Sequence, residues 1–288
     1  MAEPEVSDLA QQINEAQSIL ATPAAQEAVA LEWAQARTCA AIAEAMARRD
    51  PSSGARAVAS DAGMAIFAGA GSPLTQGLAM GLRGPVDADA LDAIEAHLRP
   101  TGSGPRQLEV CAFADPQLLA LLAARGYRVN EWQLVWTRAV PAEPLAPAPP
   151  ELSIRRVEPG QEELYARITL AGFLETEDVP QVAIDLILPI AFARDHELYL
   201  AWLGDEPIGG ATLAIADGIA FVNGSGVRPA FRRRGAQGAL IRARLDRARE
   251  RGCTLACSNT LPGTGSRRNM ERHGFAVAYP KLVMLADG

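Results

Sequence analysis

The sequence predicts an α/β (α+β) protein made of two similar halves. Strand-like and helix-like segments alternate along most of the chain. A proline-rich segment at residues 141–150 favours an extended linker, so we expect one domain at 1–140 and another at 151–288. Arg125-Gly126-Tyr127 and His273-Gly274-Phe275 lie 148 positions apart, each between a helix-like and a strand-like segment, which favours an internal duplication.

In the second half, strands are predicted where apolar residues are dense or alternate, and helices where they recur every three or four positions. Gly204-Asp205 between two strand-like segments signals a hairpin turn. Gly274 is placed to end a helix in a left-handed conformation. The expected strands are 152–157, 196–205, 206–218, 218–227, 253–258 and 275–285, and the expected helices are 161–173, 180–192, 236–251 and 263–273.

The end of the first half repeats this order, with a strand at 108–113, a helix at 115–127 and a strand at 128–138. The beginning differs, because residues 7–49 are expected to be mostly helical and no first strand is evident.

Composition narrows the class of protein. The net charge of −7 argues against a general nucleic-acid binder, since binding to phosphates depends on basic surface. No apolar run is long enough to span a bilayer, and the acidic start does not resemble a signal peptide. The four cysteines fit no disulfide framework, and Cys253 and Cys257 are expected to be buried thiols rather than metal ligands. We therefore expect a soluble cytoplasmic protein without a metal.

The segment Val227–Ala239 carries the clearest chemical signal. Pro229 ends a strand, three arginines follow at 232–234, and a helix then begins. The unpaired N–H groups at a helix N-terminus attract anions, and arginine side chains suit phosphate. Gly235 and Gly238 let the backbone come close to a ligand. Pyrophosphate is the natural ligand for such a site.

This segment resembles motif A of the GNAT superfamily of acetyl-CoA-dependent N-acyltransferases. In that family's pattern, (Gln or Arg)-x-x-Gly-x-(Gly or Ala), Arg232 and Gly235 hold the first two positions, and Gln237 replaces the final small residue. The resemblance covers roughly residues 151–288 in the order of elements. It implies two GNAT-like domains, each with a mixed, mostly antiparallel central sheet flanked by helices, and acetyl-CoA as cosubstrate.

By this resemblance, the backbone of residues 225–227 pairs with the pantetheine arm and the N–H groups of residues 233–238 hold the pyrophosphate. Asn259 follows the strand at the point where such folds splay apart. Asn259 as a turn residue and Asn269 as a capping residue are equal alternatives. The expected cofactor-binding residues are Ser225, Gly226, Val227, Arg232, Arg233, Arg234, Gly235, Ala236, Gln237, Gly238, Ala239, Asn259, Ser266 and Asn269.

The family transfers the acyl group by direct attack of an amine on the thioester. Many members place a tyrosine on the last helix to donate to the leaving thiolate, but Met270 holds that position here. The strand before the motif carries Asn223 and no acid, and an amide cannot accept a proton at neutral pH. The catalytic groups stay unknown, with Asn223, Glu175 and Ser266 as weak candidates.

An acidic loop with Glu175, Glu177 and Asp178 is expected to border the acceptor pocket, where it would attract a cationic amine. A solvated acidic loop is the favoured alternative. His196 and His273 are expected to be structural rather than catalytic.

The matching stretch of the first half lacks the arginines. Gly84-Pro85 stands where Arg228-Pro229 would be, and the first helical leucine follows Pro85 five positions sooner than in the second half, so a deletion is expected. Asp87 and Asp89 at the helix start would repel a phosphate. The first domain is therefore expected to be a degenerate copy without the phosphate loop, with residues 69–77 facing a pocket.

The favoured function is acetyl-CoA-dependent N-acetyltransferase, acting on a primary amine of a small molecule or peptide. A non-catalytic CoA-binding or sensing module is the alternative. A nucleic-acid binder using the nine arginines between Arg228 and Arg251 is disfavoured by the acidic remainder of the chain. Arginines 242, 244, 247, 249 and 251 of the helix are expected to form a solvated face. No membrane partner is expected. The protein is expected to be a monomer or a homodimer.

Overall fold

The computed structural model describes residues 22–69, 72–99 and 105–287. The first helix of the described residues begins at Pro23, after Thr22, whose side chain accepts a hydrogen bond from the N–H of Ala25 at 3.2 Å, as is usual for a helix cap. The expected helical residues 7–21 lie outside the described part of the chain. The elements of the first half are α1 (Pro23–Arg49), β1 (Arg56–Ser60), β2 (Gly63–Phe67), β3 (Gln76–Leu78), α2 (Ala88–Leu98), β4 (Arg106–Cys111), α3 (Pro116–Ala124) and β5 (Arg128–Ala139).

The second half follows the predicted order closely. Gly204 has a φ of 61° in the hairpin turn, and Gly274 has a φ of 74° after the last helix. Its elements are β6 (Leu152–Arg156), α4 (Glu162–Leu174), α5 (Gln181–Ile187), β7 (His196–Leu203), β8 (Glu206–Ala216), β9 (Ile219–Phe221), β10 (Gly226–Val227), α6 (Ala236–Glu250), β11 (Leu255–Thr260), α7 (Gly265–Arg272) and β12 (Ala276–Ala286). A 3-10 helix at Leu188–Phe192 extends α5, and another lies at Pro229–Phe231.

The predicted single strand at 218–227 is wrong, because the structure divides it into β9 and β10. Among the described residues, β9 pairs with both β8 and β11, whereas β10 pairs only with β8. Gly224 lies between the two pieces with a φ of 59°, a conformation that turns the chain out of a regular strand.

The two halves share one sheet of twelve strands rather than forming two separate sheets. The order is β1-β2-β3-β4-β12-β5-β11-β9-β8-β7-β6, with β10 beside β8. Within the ranges that the structure describes, the pairings are antiparallel except β3 with β4 and β9 with β11. This arrangement confirms a mixed, mostly antiparallel sheet flanked by helices.

Each half gives its last strand to the other half. β12, the final strand of the second half, lies between β4 and β5, and β5 lies between β12 and β11. The central pair β5 and β12 therefore joins the halves through backbone hydrogen bonds. The repeated ends of the halves in the sequence correspond to these two exchanged strands.

Helices cover both faces of the sheet. Along β8, Leu213 packs with Leu240 of α6, and its neighbour Ala214 packs in the cluster of α1, so α1 and α6 lie on opposite faces. The cluster around α1 includes Ile66 from β2 and Phe221 from β9. One helix of the first half therefore lies over strands of both halves.

The segment at 141–150 contains no helix or strand and packs along α6. The N–H of Leu145 donates to the carboxylate of Asp246 at 2.9 Å. In the part of the chain that the structure describes, no helix is long and apolar enough to cross a membrane. Nor do the described side chains form a group of three or more His, Cys, Asp or Glu that could hold a metal ion.

Candidate functional site

A gap opens between β10 and the end of β11. β9 and β11 pair in parallel as far as Phe221 and Cys257, and the N–H of Val222 donates to the carbonyl of Cys257 at 2.9 Å. Beyond that bond, β10 follows β8 while β11 continues beside β5 as far as Thr260. The strands thus separate immediately before the arginine-rich loop.

Helix α4 closes one side of β10. A Cβ atom on Gly226 would lie 2.1 Å from the carbonyl oxygen of Thr169, and one on Gly172 would lie 2.4 Å from the N–H nitrogen of Val227. These glycines let the helix backbone rest directly on the strand. With β8 on one edge and α4 on this face, the free edge of β10 in the described structure is the one toward β11.

Asn223 bridges the gap at its closed end. Its side-chain oxygen accepts hydrogen bonds from the hydroxyl of Ser258 at 3.1 Å and from the N–H of Asn259 at 3.0 Å. Asn259 lies within β11, not after it as expected, because β11 runs to Thr260. Its Nδ2 donates to Gln35 of α1 at 2.9 Å, and its Oδ1 is buried without a partner among the described residues.

The loop at 228–235 exposes the start of α6. Gly235 precedes the helix with a φ of 84°, and no side chain caps the first turn. Ala236 is buried, while residues 232–235 are exposed. Arg233 also has a positive φ, 64°, which for a residue with a side chain is uncommon and points to a constrained loop. The uncapped N–H groups and the exposed arginines lie together at the start of α6, which is the arrangement that an anion site requires.

The loop arginines have different partners. Arg232 lies 2.8 Å from the carboxylate of Glu175 and donates to the carbonyl of Gly172 at 2.9 Å. Arg228 pairs with Glu177 at 2.8 Å and with Glu206. Two of the three acids expected to attract an amine are therefore already paired with loop arginines. Arg233 and Arg234 are exposed and make no ion pair within the described residues.

Helix α7 packs against α6 through a histidine. A Cβ atom on Gly238 would lie 3.1 Å from Nε2 of His273, so this glycine makes room for the imidazole. Burial, with three nearby arginines, lowers the pKa of His273, and its Nδ1 lies 2.8 Å from the carbonyl of Asn269. Ser266 is exposed at the start of α7, and Met270 is buried in the core.

Arg244 contradicts the expected solvated face of α6, because its side chain is fully buried. Its guanidinium donates to the carbonyls of Leu240 at 3.0 Å, Thr212 at 2.8 Å and Asn223 at 2.9 Å, and to the hydroxyl of Ser225 at 2.6 Å. Burial lowers its pKa to about 10, so it is cationic at neutral pH. Position 244 falls four residues after Leu240 and therefore lies on the apolar side of the helix. This spacing is the sequence signal that could have identified Arg244 as buried.

Arg247 of α6 and Arg251, which follows the helix, also have defined partners. Arg247 and Arg251 lie 2.8 Å and 2.7 Å from the carboxylate of Glu197, which is 5% exposed. Although burial favours the protonated acid, hydrogen bonds from these arginines hold the pKa of Glu197 below its usual range. This cluster fastens α6 to β7.

A buried ionic cluster lies beneath the gap, under α1. The ammonium of Lys281 is 2.5 Å from Glu109 and 3.4 Å from Glu32, and Gln35 accepts from it at 3.0 Å. Burial raises the pKa of Glu32, and the positive charge of Lys281 offsets part of this rise. Burial alone would lower the pKa of Lys281, but the nearby carboxylates of Glu109 and Glu32 raise it. Through Gln35 this cluster reaches Asn259. Its members come from three distant elements, so no local pattern in the sequence reveals it.

The expected deletion in the first half is wrong. Residues 79–87 separate β3 from α2, and residues 228–235 separate β10 from α6, so the two loops are nine and eight residues long. The loops differ in burial instead: Ala79, Met80 and Leu82 are buried. As expected, Asp87 caps its own helix, accepting from the N–H of Ala90 at 2.8 Å.

Comparison with known proteins agrees with this geometry. The model of the acetyltransferase (GNAT) family matches residues 162–275, a range that includes β10, the loop, α6, β11 and α7. No curated protein matches the sequence.

Several solved structures are similar. A GCN5-related N-acetyltransferase from Kribbella flavida has a TM-score of 0.61 at 20% identity, covering 86% of this chain and 96% of that one. One from Sphaerobacter thermophilus has a TM-score of 0.54 at 17% identity, covering 81% and 75%. A tandem GNAT protein from the clavulanic acid biosynthesis pathway, solved without acetyl-CoA, has a TM-score of 0.54 at 15% identity, covering 74% of each chain. At these identities the likeness concerns the fold. The family match itself identifies residues 162–275 of this chain as an acetyltransferase domain of the GNAT family.

Proposed function

We propose that this protein is an acetyl-CoA-dependent N-acetyltransferase that transfers an acetyl group to a primary amine of a small molecule or peptide. The amine attacks the thioester carbon directly, and CoA leaves as the thiolate. The family match supports acyl transfer from an acyl-CoA in general.

The observation that carries the proposal is the exposed start of α6 beside the gap. Its first turn has no side-chain cap, and Arg233 and Arg234 stand beside it with exposed guanidiniums. A pyrophosphate at this place would satisfy N–H groups that otherwise face water. From there a pantetheine arm would run along the free edge of β10 into the gap.

The first half is proposed to support this site without binding CoA itself. The loop at 79–87 is mostly buried, and the carboxylate of Asp87 occupies the position that a phosphate would need. Its helix α1 lies over strands of both halves, and Gln35 from this helix contacts Asn259 at the gap. These contacts favour a role in shaping the acceptor side.

One alternative has support of its own. A CoA-binding module without catalysis is favoured by Met270, which is buried where many relatives carry a tyrosine. Among the candidate catalytic groups, the side-chain oxygen of Asn223 already accepts two hydrogen bonds, and Glu175 is paired with Arg232. Ser266 is exposed on α7.

Two measurements test the proposal. Isothermal titration calorimetry with acetyl-CoA is expected to show saturable binding, and its absence would refute both the enzyme and the binding module. Release of the CoA thiol from acetyl-CoA is then followed in the presence of a panel of primary amines. Release that depends on the amine supports the transferase, whereas binding without release by any amine supports the module.

A further inference from the structure

Arg244 is a buried cation with no acid beside it in the described structure. Its side chain has no exposed surface, and its hydrogen bonds end on three backbone carbonyls and one hydroxyl. A buried guanidinium is ordinarily paired with a carboxylate, since burying a lone charge is costly. The charge of Arg244 therefore stays uncompensated beside the gap.

The contact with Arg244 orients the hydroxyl group of Ser225. Nη2 of Arg244 donates to Oγ of Ser225 at 2.6 Å, while Nη1 holds the carbonyl of Asn223 at 2.9 Å. A serine hydroxyl has one hydrogen to donate and accepts through its lone pairs. Because Arg244 has no lone pair to offer, the hydroxyl hydrogen of Ser225 must turn away from it.

Ser225 lies immediately before β10, on the segment that leaves β9. Its side chain is half-buried, and the free edge of β10 faces the gap toward β11. If pyrophosphate binds at the start of α6, as the proposed function requires, the pantetheine arm runs from Val227 toward Ser225. The sulfur then comes closest to Ser225, at the end of the arm away from the phosphates.

We propose that the hydroxyl of Ser225 donates a hydrogen bond to the sulfur of CoA as it leaves, and that Arg244 is the positioning residue that orients this donor. The inference rests on the proposed function. In the step concerned, the amine nitrogen forms a bond to the carbonyl carbon and the C–S bond breaks. The sulfur keeps the electron pair as a thiolate, and the amine releases its proton to solvent.

The arrangement supplies what Met270 cannot. A donor that meets developing negative charge stabilises the transition state more than the ground state. The positive charge of Arg244 acts in the same direction, because it is buried and screened little by water. Both effects favour the thiolate over the neutral thiol, so the ionisation of bound CoA reports on them without any acceptor.

The test is a titration of the thiol of CoA bound to the full-length protein, followed by the ultraviolet absorbance of the thiolate. The wild-type protein is expected to lower the pKa of the thiol of bound CoA below that of the thiol of free CoA. Ser225→Ala and Arg244→Met are expected to raise it again by about one to two pKa units, the effect of losing a hydrogen bond to a charged group. Ser225→Thr keeps the hydroxyl and should stay near wild type.

Tyr199→Phe serves as the matched control, because it removes another buried hydroxyl, which donates to Glu197 at 3.0 Å. It should lower the melting temperature without moving the pKa of bound CoA. If Ser225→Ala binds CoA and leaves its thiol pKa at the wild-type value, the proposal is overturned, even where Arg244→Met does not fold. Failure of the wild-type protein to bind CoA would instead overturn the proposed function together with this inference.

Discussion

The guanidinium of Arg232 lies 2.8 Å from the carboxylate of Glu175 and so joins the loop at 228–235 to the end of α4. Both side chains are substantially exposed, 42% for Arg232 and 68% for Glu175. An exposed pair of this kind contributes at most about 1 kcal/mol to folding. The pair therefore contributes little to stability, and in the proposed function it holds Arg232 beside the anion site.

Glu175→Gln tests whether Glu175 acts as a base or only holds Arg232. We expect acetyl-CoA to bind at least as tightly as to wild type, because the variant leaves Arg232 free for phosphate. The turnover rate with an active amine should change by less than about threefold. Calorimetry and steady-state kinetics measure these quantities, and a loss of about a hundredfold or more in kcat would identify Glu175 as a catalytic base instead.

Gly235→Asp is expected to weaken acetyl-CoA binding about tenfold or more, since it places a negative charge at the anion site. Gly252→Asp is the matched control. Gly252 follows the other end of α6, has a similar φ of 73° and has open space around it. Both variants place the same side chain at a positive φ, so titration calorimetry separates the effect of the charge at the anion site from that of backbone strain. Equal affinities for the two variants would show that the phosphate site lies elsewhere.

Asp87→Ala tests the first half. Losing the cap of α2 should lower the free energy of unfolding by about 1 kcal/mol, as measured by urea denaturation. Because the loop before α2 stays buried, we expect no new CoA site to appear. The calorimetric stoichiometry should therefore remain one acetyl-CoA per chain, and a second site in the variant would contradict the proposed role of this half.

Lys281→Met should destabilise the fold by about 3–5 kcal/mol, because it leaves Glu32 and Glu109 buried without their cation. Removing Lys281 also raises the already elevated pKa of Glu32 further, since the ammonium lowers it. A carboxyl with a raised pKa in the folded state stabilises the fold fully below its unfolded pKa of about 4.5, and this stabilisation is lost as pH rises through the folded pKa.

The loss in Lys281→Met should therefore be larger at about pH 8 than at about pH 5 in chemical denaturation. Adding Glu109→Gln, which removes one of the two buried charges, should recover part of the stability. An equal loss at both pH values would show that the carboxylates are not charged in the folded protein.

Local patterns in the sequence were sufficient to predict most of the elements. The hairpin at Gly204, the turn at Gly274 and the helix beginning at Ala236 each depend on residues within a few positions of one another. The position of the loop at 228–235 before α6 was predictable for the same reason. The break between β9 and β10 was not predicted, although Gly224 lies in it; Arg244 reaches the break from the following helix and donates to Asn223 and Ser225 on either side.

Features that depend on residues far apart in the sequence, or on the alignment of the two halves, could not be predicted correctly. The deletion proposed for the first half assumed that equivalent leucines mark equivalent helix positions, whereas Asp87 and Gly235 prove to be the two residues preceding the helices. The cluster of Lys281, Glu32 and Glu109 joins three elements that the sequence keeps far apart. A buried charge gives no local signal until its partners are known.

The exchange of last strands has a consequence for the order in which the chain can fold. Domains commonly fold as units while the chain is being synthesised, the N-terminal one first. Here β4 meets its neighbour β12 only after synthesis reaches residues 276–286, and β5 cannot join β11 until residue 260 is made. A ribosome-bound chain ending after β5 would leave the edge of β4 unpaired. The first half can therefore complete its strand pairing only once residues 276–286 have been made.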